Sequence, residues 1–323
     1  MSYRETYQQD CTPVPGHVLG YHGGFMLPRA AVILPLLWFC ACKPAEESRT
    51  KAIVGAVLID GSGGPPLTGS VVVVAGDRIR IAGPRSSFLI PAEADKIDGS
   101  GKFLVPGLID VCPRAVAPAV FTTPEEARSK VAELAARRVD AIHVGKMEPA
   151  VAEATLEAAR DAGIPVTAHV STQADAKLLV NAGASTFVGM IADTEDLDPV
   201  LVARLRDLQI VFAPALAASG ARLGTASHNT RRLFAAGVPI AVASEGGDFG
   251  RELQLLVEAG MPPLDVIVAA TRNGAMALRQ LDRRGAIQPG KRADLLLLTA
   301  NPAEDIRNLA RVDRQMAAGE WAR

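Results

Sequence analysis

The sequence predicts an α/β protein: a parallel sheet with helices outside it, flanked by a β-rich module drawn from both chain ends. Two patterns lead there. Between residues 104 and 283, short apolar runs alternate with helical stretches that stop at Gly. Before and after that region, strand-like runs separated by turn residues take over. With 323 residues, 49% of them hydrophobic, the chain can build one large core and a smaller second one.

Residues 1–50 read as an address rather than a fold. Arg29 precedes an apolar run from Ala30 to Phe39, and small residues follow, which is the layout of an export signal. The run is too short to span a bilayer. Phe39-Cys40-Ala41-Cys42 has the form of a bacterial lipobox, which would put a lipid on Cys42 and leave residues 43–48 as a polar tether. The expectation is an exported, periplasmic lipoprotein held to the membrane by its N-terminal lipid, with Met1 or Met26 as the start.

Residues 51–103 carry strand-like runs at 54–59, 71–75 and 78–82, punctuated by Gly and Pro. Gly76-Asp77 reads as a hairpin turn. From 104 to 283 the candidate strands are 104–109, 141–144, 165–169, 185–188, 210–213 and 239–243. Thr123-Pro-Glu-Glu126 is a capping box with Pro at the first helical position, and Asp198-Pro199 is a second helix start. Gly163, Gly183, Gly237 and Gly260 each follow an Ala and mark helix exits. Such alternation gives either an open sheet or a barrel. Residues 284–323 return to strand character and are expected to pair with 51–103 as one domain.

Composition removes several classes of function. A formal charge of −1 with no basic tract argues against nucleic acid. Aromatics at 4% leave little for stacking platforms. Three of the four cysteines fall in the first 42 residues, so no disulfide framework is expected, and Cys112 reads as a small buried hydrophobe.

Three groups of residues carry a family resemblance. The first is residues 101–114, around Pro106-Gly107-Leu108-Ile109-Asp110. The second comprises Ala141-Ile-His-Val144, the run from Ala162 to His169, and residues 236–242. The third is Ala269-Ala-Thr-Arg-Asn-Gly-Ala275 with residues 285–295 and Asn301-Pro302. Together they resemble the imidazolonepropionase and prolidase-like branch of metal-dependent amidohydrolases over nearly everything after residue 51. The resemblance implies a TIM-like (β/α) barrel with a β-sandwich built from both chain ends. It also implies hydrolysis of carbon–nitrogen bonds in small molecules, at zinc or another divalent metal. The ligands of such barrels lie at the C-terminal ends of the strands. Position by position, the first-strand His-x-His pair falls on Cys112 and Arg114, and the fourth-strand lysine on His143. The fifth-strand histidine is kept as His169, the sixth falls on Val188, and the eighth-strand aspartate on Glu245. Arg114 and His143 are only 29 positions apart, so two strand–helix units are missing and the barrel is expected to be truncated. Closure on six strands or dimerisation across the gap would cover the open edge.

His143, His169 and Glu245 make a two-histidine, one-carboxylate set of the kind that holds one metal, with Glu245 also the candidate general base. The plainer reading is preferred on the donor count: His143 fills the space of the lysine and His169 is hydrogen-bonded in the barrel mouth. An Arg114–Glu245 pair is the main rival to metal binding. Cys112 beside His169 reads as an inert thiol before it reads as a nucleophile. Lys146 reads as a loop lysine, His228 as an exposed cap at a helix start, and Asp248 as an N-cap. Two functions follow from the resemblance: an amidohydrolase with a reduced metal site, or an inactive relative that binds a ligand or acts as a scaffold.

Overall fold

The computed structural model describes residues 50–112, 119–139 and 141–322. The export signal, Cys42 and Arg114 lie outside the described residues. Residues 47–323 form one unit.

The N-terminal strands are β1 (Lys51–Val54), β2 (Val57–Leu58), β3 (Ser70–Ala75), β4 (Arg78–Pro84), β5 (Asp95–Asp98) and β6 (Phe103–Pro106). The single strand expected at 54–59 is broken. Gly55 takes φ +88, and a Cβ there would lie 2.8 Å from the Ser100 hydroxyl, so the chain bends and the two pieces enter different sheets. One sheet has the order β4-β3-β1-β5. The second takes β2 and β6 and adds the C-terminal strands β11 (Leu295–Leu298), β12 (Val312–Ala317) and β13 (Glu320–Trp321), in the order β13-β12-β11-β6-β2. The expected strand at 104–109 is therefore split, because its first half pairs antiparallel with β11.

The two chain ends are tied directly. The buried Lys51 Nζ donates to the Gly319 carbonyl at 2.8 Å and to Glu320 Oε1 at 2.7 Å. The β3–β4 turn is stitched to residues 290–293 by Ile79 N–H to Lys291 O and Ala293 N–H to Asp77 O. Alternate residues of β11 serve two cores, as the period of two requires. Leu295 and Leu297 pack with Ile53, Val72, Val74 and Leu104 from both sheets. Leu296 and Leu298 join Val105 in the large core that also takes in the helices.

The middle region alternates as expected: α1 (Pro124–Ala136), β7 (Ile142–Val144), α2 (Pro149–Asp161), β8 (Val166–Val170), α3 (Gln173–Asn181), β9 (Thr186–Gly189), α4 (Pro199–Asp207), β10 (Val211–Ala213), α5 (Leu223–Ala235), α6 (Phe249–Glu258) and α7 (Pro263–Val268). Thr123 caps α1 by accepting the Glu126 N–H, and the Glu126 carboxylate reaches back to Thr122. Asp198 caps α4. Gly163, Gly183, Gly237 and Gly260 all have positive φ, as the helix exits demand.

The four central strands pair in parallel, in the order β10-β9-β8-β7. Single bridges extend them at both sides, Ala119 to Val144 and Phe212 to Ile240. Residues 239–243, expected as a strand, make only that bridge. Beyond them, Val111 N–H donates to Val242 O and Ile109 N–H to Ala270 O. Ala270 sits in a π-type turn at Ala269–Asn273, and such a turn frees a carbonyl from the helix ladder. The sheet thus runs as an arc from Ala119 to residues 109–112. Its two ends are joined in sequence by residues 113–118, outside the described residues, and no closed ring is seen among those described.

Candidate active site

The register of the arc decides which side chains meet. His143 pairs with Thr167, and His169 pairs with Val188. Thr167 and His169 are two apart on β8, so all four side chains share one face. The other face carries Phe187 and Phe212, fully buried against the helices with rings edge to face at 5.7 Å. The shared face continues into a separate small cluster of Val111, Cys112, Val188, Val211, Ala213 and Ala241. Val188, where the resemblance puts a histidine, is a fully buried member of that cluster.

His143 Nδ1 lies 3.0 Å from Thr167 Oγ1. Burial, and then the neighbouring His169, hold its pKa below the ordinary histidine value. The His143 and His169 rings meet edge to face at 6.2 Å. His169 Nε2 lies 3.6 Å from Glu245 Oε1, with the side chains 38% and 17% exposed. Gly189 fits against this histidine: a Cβ there would stand 2.6 Å from the Val170 carbonyl and 3.1 Å from His169 Nε2.

Glu245 sits in a left-handed turn, φ +46, followed by Gly246 at φ +83. Its N–H donates to Cys112 O at 2.9 Å. The preceding Ser244 gives Asp110 both its N–H and its hydroxyl, and Asp110 also accepts the Cys112 N–H. Asp110 thus binds the 109–112 segment to the turn that presents Glu245. Burial outweighs these donors and raises the Asp110 pKa. Burial, with Glu245 and Asp110 adding to it, pushes the Cys112 thiol up to about 11. Cys112 is therefore held as the neutral thiol near pH 7, the less nucleophilic form.

The remaining candidates settle elsewhere. Lys146 is a loop residue, 85% exposed and 3.7 Å from Asp175. His228 is exposed and lies inside α5, past its first turn, so it does not cap that helix. Asp248 caps α6 through the Gly250 and Arg251 N–H groups.

One residue was missed in the sequence. Glu252, on α6, is fully buried. Its two oxygens accept the N–H groups of Leu216 and Ala217, both at 2.8 Å. Burial pushes its carboxyl up to about 7 against the pull of those two donors, and Asp110 and Glu245 add to the rise. A signal existed: Glu252 falls in the apolar stripe that includes Leu255, Leu256 and Ala259. Ala215, Ala218, Ser219 and Arg222, from the loop it holds, line a groove of about 60 Å³ with His169 and Glu245. That is room for one or two waters.

The family model described as "Amidohydrolase family" matches residues 113–322. The chain belongs to the amidohydrolase family. An imidazolonepropionase of Anaeromyxobacter sp. (strain K) is 34% identical over 166 residues, 47% of this chain and 38% of that relative. An ochratoxinase of Aspergillus niger is 42% identical over 77 residues, 22% of this chain and 16% of the other. The chain thus spans well under half the length of these curated relatives. Among solved structures, a Xaa-Pro dipeptidase with methionine in its active site superimposes with a TM-score of 0.74 at 18% identity, over 84% of this chain and 99% of that one. A molinate hydrolase does so with 0.72 at 18%, over 85% and 95%. At these identities the superpositions establish a shared α/β fold.

Amidohydrolases are generally metal-dependent. Among the described residues, no group of three His, Cys, Asp or Glu side chains is placed to hold a metal ion. The reason is local. His169 and Glu245 have roughly the spacing of two ligands on one ion with bonds of about 2 Å. His143 instead turns Nδ1 to Thr167, and Cys112 is a neutral thiol among apolar side chains. A catalytic zinc takes three protein ligands. The candidates His143, His169 and Glu245 are gathered at one strand end, but not as a three-donor set, and the described side chains do not fit the ion.

Proposed function

We propose that this protein hydrolyses carbon–nitrogen bonds of an amide type in a small molecule, with His169 and Glu245 as its working pair. One observation carries the reading: His169 Nε2 and Glu245 Oε1 lie 3.6 Å apart, both partly open to solvent, in one groove. Water held in the groove beside both groups attacks the carbonyl carbon of a substrate lying across its open side. Glu245 takes the proton from that water and returns it to the leaving nitrogen. His169 donates a hydrogen bond to the carbonyl oxygen as it becomes charged. The family supports hydrolase chemistry. The substrate class follows only from the resemblance and from names such as imidazolonepropionase and Xaa-Pro dipeptidase among the relatives.

The test is release of amine from a panel of N-acyl amino acids, Xaa-Pro dipeptides and cyclic amides, with and without added zinc. The wild-type chain should turn over at least one of them, and Glu245→Gln or His169→Ala should lower the rate by about 100-fold or more. No turnover of any compound under either condition overturns the assignment.

A second reading, an inactive binding or scaffold protein, is favoured by Val188: an inner face filled with buried apolar residues has lost a donor position. The same panel decides between the two, because a binder takes up a ligand without releasing amine. We also propose a barrel of fewer strands than the usual eight, supported by the arc of hydrogen bonds from Ala119 to residues 109–112. The residues 51–103 with 284–323 would be its β-sandwich domain and 104–283 the barrel domain. Export with a lipid on Cys42, and pairing with a second copy across the open edge, remain proposals supported by the sequence pattern alone.

A further inference from the structure

We propose that Glu252 is a positioning residue for the groove: from α6 it fixes the backbone of Leu216 and Ala217, and through them the wall that the groove shares with His169 and Glu245. Three observations carry this. First, Glu252 is 0% exposed, on the buried side of α6, where a leucine would complete the apolar stripe. A buried carboxylate is costly unless its oxygens are satisfied. Second, each oxygen takes one backbone N–H, from Leu216 and from Ala217. These N–H groups open the turn at Leu216–Ala218, where donors have no partner within the turn itself. Glu252 caps that turn from another element, 35 and 36 positions further along the chain. Third, the loop is knitted to itself beyond the clamp, by Ala218 N–H to Ala215 O and Ser219 Oγ to Ala215 O. The piece that lines the groove is therefore hung on α6 as a unit.

The charged groups acting on Glu252 from neighbouring elements are Asp110 and Glu245, both acidic. Arg251 precedes it on α6 and is paired with Glu258. Among the described residues no cation forms an ion pair with Glu252, so the two N–H donors are what fix its carboxyl in place.

The inference rests on the groove being the active site proposed above, but its test reads the loop directly. A failure to find hydrolysis would leave the readout intact. Amide hydrogen exchange is measured on the whole chain for wild type, Glu252→Gln and Glu252→Ala. The amides of residues 216–219 should exchange at least tenfold faster in the Ala variant, with Gln restoring part of the protection through its one remaining acceptor. The Ser219 amide and His169 ring signals should shift in the same spectra, while amides of β1 and β11 keep their protection. Unchanged exchange at 216–219 would overturn the proposal. So would an equal acceleration in β1 and β11, since that assigns Glu252 to overall stability only. If the Ala variant does not fold, the Gln variant alone gives the same comparison of loop against strands.

Discussion

Gly189 shows how much a single position can hold. Its φ of +91 is one that side chains rarely adopt, and a Cβ would press on both the Val170 carbonyl and the His169 ring. Gly189→Ala should therefore cost about 1–3 kcal/mol and turn His169 away from Glu245. Thermal unfolding and the His169 ring signals in NMR check the two effects separately. A variant of wild-type stability with an unmoved imidazole would show that this strand end is slack. At this scale the sequence was partly legible. The resemblance marked His169 and Glu245 as strand-end residues, and the two side chains do approach each other. The rival Arg114–Glu245 pair needs Arg114, which lies outside the described residues. Glu252 was not found, because nothing in a string of residues says that one glutamate of an amphipathic helix faces inward. Nor could the sequence show that Glu245 is presented from a left-handed turn, since that depends on Cys112 and Asp110 meeting it from a distant segment.

Helix α6 carries the clearest pH dependence. The Glu252 carboxyl titrates at about 7 in the fold against an ordinary value of 4.5. Between those values the folded chain holds a proton that the unfolded chain has lost. The contribution of Glu252 to stability is thus complete below about 4.5 and is lost as pH rises through 7. Asp110 shifts the same way and His143 also titrates, so the useful quantity is the difference from Glu252→Gln. Between pH 4.5 and 8, wild type should lose on the order of 3 kcal/mol that the Gln variant keeps. Urea unfolding at the two pH values measures it, and parallel curves for the two proteins would contradict the assignment. Among the elements, the helices were the easiest to read, because caps and exit glycines are local. The strands were harder. The run at 54–59 is divided by Gly55, and 103–106 was claimed by an antiparallel partner almost two hundred positions away. Such pairings are set by the rest of the chain.

At the scale of the whole molecule, strand β11 of the five-stranded sheet is buried on both faces. Leu297 faces one core and Leu296 and Leu298 face the other. Leu297→Ala should cost about 2–5 kcal/mol, and the loss should appear as one transition for the whole unit. Two separate transitions, followed by circular dichroism and by Trp321 fluorescence, would mean that the β-rich and helical parts melt independently. The expectation that both ends combine came from the strand-like runs at each end and from the family resemblance, whereas the shared sheet required the register of β6 on β11. That sheet also orders events during synthesis. Strand β6 leaves the ribosome long before β11, and at ordinary rates of roughly 5–20 residues per second it waits on the order of ten seconds or more for its neighbour. Through that interval the greasy inner surfaces of the early strands have no lid. Nascent copies crowded on one message would be exposed to sticking together, and a holding chaperone would be most useful in that window.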